Sequence, residues 1–323
     1  MLKVIAGLGI FITLSAASIA FGSTTSSEVQ AKGPDGPLVG TLIAVNDKAP
    51  LVLIIPGSGP TDRDGNNRLG VSASSYRLLA EELALQGIST IRIDKRGMFG
   101  SVKAIADANN VRIADYVADT NAWIDAVQKR EPKRKCVWLL GHSEGGIVAL
   151  VAAKDNDRVC GVIAVATPGR KLNEVLREQL NANPANAPVL PDAMHAIDEL
   201  EAGRKLDVSK MHPALQGLFA PSVQGFLISL FATDPAVFAG SMRQPLLIVQ
   251  GGRDIQVAYS DAERLAKSQP NAKLLKIDEM THTLKEAKDA SRAAIMATYS
   301  DSSGPVDKRM VDAVTVFVKA RRH

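Results

Sequence analysis

Four short apolar runs limit what this chain can fold into: LVLII at 51–55, VWLL at 137–140, GVIAVAT at 161–167 and PLLIVQ at 245–250. A strand with one wet face alternates apolar and polar side chains, whereas a run that is apolar throughout has both faces covered. Helical stretches separate these runs. Residues 74–86 (SSYRLLAEELALQ) put Leu78, Leu79, Leu83 and Leu85 largely on one face, and further helices are expected at about 114–128, 144–153, 262–268 and 308–319. Strands are also expected at 89–93 and 273–277, and at 29–32 and 38–45 around the turn GPDGP. Apolar strands in alternation with helices imply an α/β fold: a mostly parallel sheet, right-handed crossovers and helices on both faces.

The alternation lapses between residues 169 and 240, which are polar, rich in helical sequence and interrupted by prolines. They are expected to form a helical cap inserted into a core made of 28–168 and 241–323. Within the insertion, LFAPSVQGFLISLF (218–231) admits two roles: packing on the main body, or a lid that lines a hydrophobic acyl pocket. At 46% hydrophobic and 22% charged, the 323 residues have the make-up of a globular protein. A net charge of +4, with Lys and Arg scattered and no basic stripe, excludes the usual nucleic-acid footprint. The first residues stand apart. Lys3 precedes an apolar stretch, Val4 to Phe21, that ends in the small-residue site Ser18-Ile19-Ala20. This is the pattern of a secretory leader over 1–22, so the protein is expected to be exported, periplasmic or secreted, with no stable membrane insertion once the leader is removed. An uncleaved anchor is the alternative, because the run is close to spanning length.

VWLL leads directly into Gly141-His142-Ser143-Glu144-Gly145-Gly146, and a helix follows at once. Gly-x-Ser-x-Gly alone arises by chance in about one chain in ten of this length. Strand, turn and helix around it are what give the serine meaning, because they project its hydroxyl at the carboxyl end of the sheet. A hydroxyl is a weak nucleophile and needs a base, which an acid must orient. Of the five histidines, His142 sits inside the turn, His195 and His212 fall in the insertion, and His323 is the last residue. His282, in the loop DEMTHTLK after the strand KLLKI, is the expected base. Asp254, just past PLLIVQGGR, is the expected acid. The oxyanion of a tetrahedral intermediate needs two amide donors. One is expected from Glu144, and the other from the loop IIPGSGP, from Ser58 first and Gly57 second. In TDRDGN (61–66), ion pairs of Asp62, Arg63 and Asp64 are expected to structure the loop, with Arg63 on a substrate carboxylate as the alternative. Asp94 and Arg96 are expected to brace loops.

Together PGSGPTDRDGN, DKRGMFGS, GHSEGG, IVQGGRD and MTHTLK, in this order and spacing, resemble the α/β-hydrolase superfamily, and within it the bacterial esterases and serine aminopeptidase-like hydrolases, over about 35–320. The resemblance implies a helical cap after the strand ending near Thr167, and it departs from many relatives at Pro56, where they carry histidine. Cys136 lies seven residues before Ser143, and Cys160 lies seven before Thr167. On adjacent parallel strands about 4.8 Å apart, the two come within reach of a disulfide. The expected activity is hydrolysis of a small-molecule acyl ester by Ser143, Asp254 and His282, with no metal and no cofactor. A short peptide cleaved by the same residues, with Glu199 or Glu201 holding its amino terminus, is the alternative. A non-catalytic binding protein on this scaffold is the remaining one.

Overall fold

The computed structural model describes residues 25–320. The leader assigned to 1–22 and His323 lie outside the described residues. In chain order the elements are β1 (Thr25–Lys32), β2 (Pro37–Ala44), β3 (Leu51–Ile55), α1 (Ser75–Leu85), β4 (Ser89–Ile93), α2 (Ile113–Arg130), β5 (Val137–His142), α3 (Glu144–Ala153) and β6 (Val159–Val165). Five helices follow: α4 (Leu172–Ala182), α5 (Leu190–Glu201), α6 (Pro213–Gln216), α7 (Pro221–Phe231) and α8 (Pro235–Ser241). Then come β7 (Leu246–Gly251), α9 (Tyr259–Ser268), β8 (Lys273–Ile277), α10 (Arg292–Ser300) and α11 (Lys308–Lys319). One sheet runs β1-β2-β4-β3-β5-β6-β7-β8. β2 is antiparallel to both its neighbours, and every pairing from β4 to β8 is parallel.

The apolar runs are apolar because consecutive residues serve opposite cores. On β3, Leu51, Leu53 and Ile55 pack with Trp123 and Ile124 of α2 and Ile147 and Leu150 of α3. Val52 and Ile54 pack with Leu79 and Leu83 of α1 and with Val314 and Phe317 of α11. On β5, Trp138 sets its ring edge against Phe317 at 5.3 Å, while Leu139 faces the other core. Each fully buried Leu or Ile removes enough apolar surface from water to contribute about 1.5–3 kcal/mol. A disulfide joins Cys136 and Cys160, whose Cα atoms are 5.1 Å apart, where β5 and β6 begin. This is the end of the sheet remote from Ser143.

Of the two roles open to 218–231, the structure shows packing on the main body, and the stretch lines neither cavity beside Asp254 and Ser143. Phe219 and Phe231 bury themselves with Ile197 and Leu200 of α5. Phe226 rests edge-on against Tyr116 of α2, and Ser229 Oγ accepts from the Ile113 amide. Its aromatic and aliphatic content is consumed in seating the insertion on the core. One helix of the core, α10, was not among those expected. Ala287, Ile295 and Tyr299 form a small buried cluster of their own, enough to hold the helix beside Val71.

Candidate active site

β5 brings the chain to Ser143, which adopts φ 54° and ψ −122° before α3 starts at Glu144. That backbone position is strained for an L-residue and persists only where the surroundings impose it. Here they do. A Cβ on Gly141 would lie 2.2 Å from the Gly145 carbonyl oxygen, one on Gly145 2.3 Å from that of Ile55, and one on Gly146 2.0 Å from Thr167 Oγ1. Only hydrogen atoms let strand, turn and helix close to this degree. The Ser143 amide donates to the Val165 carbonyl at 2.9 Å, tying the turn to β6. The Glu144 amide begins α3, where it lacks an acceptor within the helix and the helix dipole favours negative charge.

Asp254 follows β7, and His282 follows β8. His282 Nδ1 and Asp254 Oδ2 are 2.8 Å apart. The carboxylate is fixed from the other side: Oδ1 accepts from the amides of Gln256 (2.8 Å) and Val257 (3.0 Å), and Oδ2 accepts from Gln250 Nε2 (3.1 Å). Burial alone would raise the Asp254 pKa, but His282 and these amides outweigh it, and the carboxyl sits below its usual range. Ser143 and His282 both line a compartment of about 110 Å³. They face it without a hydrogen bond between them, a separation common in unliganded sites.

Gly57, the second candidate for the oxyanion donor, has its amide occupied. Its amide is spent on Tyr76 Oη at 3.0 Å, and its carbonyl accepts from Lys95 Nζ at 2.7 Å. The exposed Ser58 lines the same compartment as Ser143, and its amide has no acceptor among the described residues. The Ser58 and Glu144 amides thus both lack an acceptor among the described residues. Tyr76 Oη, having accepted from Gly57, donates to His142 Nδ1 at 2.8 Å, and His142 Nε2 donates to the His282 carbonyl at 2.9 Å. A neutral imidazole fits these bonds. Burial, and next the adjacent His282, push the His142 pKa down to about 3. His142 is therefore a strut between the oxyanion loop and the base loop.

The other singled-out residues are structural. Arg63 pairs with Glu28 and Asp94, and Arg92 with Asp64; Asp62 Oδ1 accepts from the amides of Asp64 and Asn66. Asp94 accepts from the Arg63 and Gly100 amides, while Arg96 forks onto Asp119 at 2.7 and 2.6 Å. His195 and His212 are exposed on the insertion. Glu199 and Glu201 are held by Arg204 and Arg177 and line neither part of the cleft. Tyr76, Lys95, Gln250 and Tyr299 are the residues that sequence reasoning missed. Lys95 alone left a signal, as a cation directly after a buried strand.

Beyond the small compartment the cleft widens to about 900 Å³. Gln256 and Tyr299 line both parts. The outer walls include Glu178, Gln179 and Asn183 of α4 and Arg292, Met296 and Tyr299 of α10, so the insertion reaches the cleft through α4 and the lining mixes polar and apolar surface. Among the described residues no group of three or more His, Cys, Asp or Glu is arranged to hold a metal ion.

The serine aminopeptidase (S33) family model matches residues 66–208, which include the serine turn but neither Asp254 nor His282. The chain is 28% identical over 271 residues to Esterase EstD of Thermotoga maritima, covering 82% of this chain. It spans 61% of that relative's length. Among solved structures, the Pyrococcus furiosus esterase Pf2001 superposes with a TM-score of 0.58 at 16% identity, covering 96% of each chain. Est1E from Butyrivibrio proteoclasticus, solved with ferulic acid bound, superposes with a TM-score of 0.56 at 18% identity, covering 91% of this chain and 100% of that one. The sheet order, the serine turn at the carboxyl end of its central strand and these likenesses agree: the chain has the α/β-hydrolase fold.

Proposed function

We propose that the chain hydrolyses small carboxylic esters through an acyl-enzyme, with Ser143 as nucleophile, His282 as base and Asp254 as the residue that orients it. The observation that carries this is the Asp254–His282 pair, 2.8 Å apart, opening into the compartment that also holds the strained Ser143. Ser143 Oγ attacks the acyl carbonyl as His282 takes its proton, and the Ser58 and Glu144 amides receive the oxyanion. His282 then protonates the departing alcohol. Water, deprotonated by the same imidazole, displaces the acyl group and frees the serine. Cleavage of a short peptide would need an acid to hold its free amino group; Glu199 and Glu201 line neither part of the cleft, and Glu178 on its outer wall is paired with Arg170, which supports the ester reading. The disulfide forms and lasts in an oxidising compartment, which supports export.

A fluorophosphonate should label Ser143, and p-nitrophenyl acetate should be turned over faster than an aminoacyl p-nitroanilide. Ser143→Ala should abolish both labelling and turnover. Labelling at another serine, or none where a reference serine esterase is labelled in parallel, would refute the mechanism.

A further inference from the structure

The geometry points to Lys95 as the positioning residue of the oxyanion hole: by holding the Gly57 carbonyl it turns the Gly57–Ser58 peptide so that the Ser58 N–H faces Ser143. This inference rests on Ser143 being the nucleophile, as proposed above. A peptide unit is planar, and in the trans form its C=O and N–H point in opposite directions; the described residues contain no cis peptide bonds. The Gly57 oxygen and the Ser58 amide belong to one such unit. Lys95 Nζ, buried beneath the loop, takes the oxygen at 2.7 Å. The N–H of the same unit must then point away from Lys95, toward the compartment that Ser58 shares with Ser143. Flipped over, the unit would present a carbonyl oxygen to the developing oxyanion, and the hole would repel the charge it exists to hold.

Gly57 has no side chain to set this orientation. Its amide is clamped by Tyr76, which fixes the preceding peptide unit and leaves the next one to Lys95. A cation on the carbonyl also polarises the unit and strengthens its N–H as a donor. The ammonium is kept in place by Glu144, whose buried carboxylate lies 3.7 Å away, while Tyr116 lies 5.5 Å from it ring-on. Glu144 thus contributes twice. Its amide is the second donor, and its carboxylate retains the cation that aims the first. Burial lowers the Lys95 pKa and Glu144 works against that, so the pair is needed if the cation is to stay charged.

The test is Lys95→Met combined with Glu144→Gln, which removes both charges and leaves neither buried alone. Thermal melting establishes that the double variant folds. The rate of Ser143 phosphonylation by a fluorophosphonate should fall about 100-fold, the cost of losing one oxyanion donor. Affinity for an aryl boronic acid, which becomes tetrahedral on the serine, should fall by a similar factor, while KM for p-nitrophenyl acetate stays within about threefold. A purely structural lysine would move the melting point without separating these quantities. In the wild type, boronate binding should shift the amide resonances of Ser58 and Glu144 and leave that of Gly57 in place. That measurement stands whether or not the variant folds. An unchanged phosphonylation rate in the folded variant, or a shift at Gly57 in place of Ser58, overturns the assignment. If wild-type Ser143 takes no label at all, the nucleophile itself is refuted and this inference falls with it.

Discussion

His142 should make the fold sensitive to mild acid. In the native state its Nδ1 accepts from Tyr76 and its pKa is pushed down to about 3, against about 6.5 in the unfolded chain. Between those values the unfolded chain binds a proton that the native state refuses, so stability drops as pH falls. At about 1.4 kcal/mol per pH unit, this one residue removes about 2 kcal/mol between pH 7 and pH 5 and about 4 kcal/mol by pH 3. His142→Gln keeps an acceptor for Tyr76 and a donor for the His282 carbonyl but cannot titrate. Urea unfolding of both proteins at pH 7 and pH 5 isolates the effect, because every other group is common to them. The wild type should lose about 2 kcal/mol more than the variant over that interval. Equal losses in the two proteins would refute the argument that His142 is held neutral.

Asp254→Asn should keep the loop, since the side-chain oxygen can still accept from the Gln256 and Val257 amides, yet lower kcat on p-nitrophenyl acetate by about 10⁴-fold by releasing the His282 tautomer; loss of the fold by circular dichroism would show the carboxylate to be structural instead. Replacing Cys136 and Cys160 together by alanine reopens a loop of sequence separation 24, which chain entropy values at about 3.5 kcal/mol. The urea midpoint should fall accordingly while turnover by the folded protein is unchanged, because the bond lies at the far end of β5.

Where the chain announced itself, it did so through positions that a parallel sheet fixes. Ser143 and Asp254 each follow a strand whose apolar run is plain in the sequence, His282 follows the less apolar strand KLLKI, and the sheet order then brings the three loops together. The two cysteines were legible for the same reason. Tyr76 and Lys95 were hidden because their roles are pairings across 19 and 38 residues with a backbone amide and a carbonyl, which carry no side-chain signature. α10 was hidden because RAAIMATYS offers only Ile295, Met296 and Tyr299 as large apolar positions, and its packing is local. The aromatic run in 218–231 left two roles open. Apolar richness signals burial, and whether the burial is under a ligand or a neighbouring helix is decided by tertiary contacts.

The attachment of α10 is uneven along its length. Its carboxyl end is fastened: Thr298 shares hydroxyl bonds with Thr281 and Thr283, and Tyr299 receives the Ser72 amide on its carbonyl and Gln256 Nε2 on its hydroxyl. Its amino end is exposed, and Arg292 there forms no ion pair among the described residues. From Tyr299 to Arg292 the helix runs about 10 Å. A substrate group that reaches past the serine would therefore meet the fastened Tyr299 first, and only farther out the exposed Arg292 and Met296.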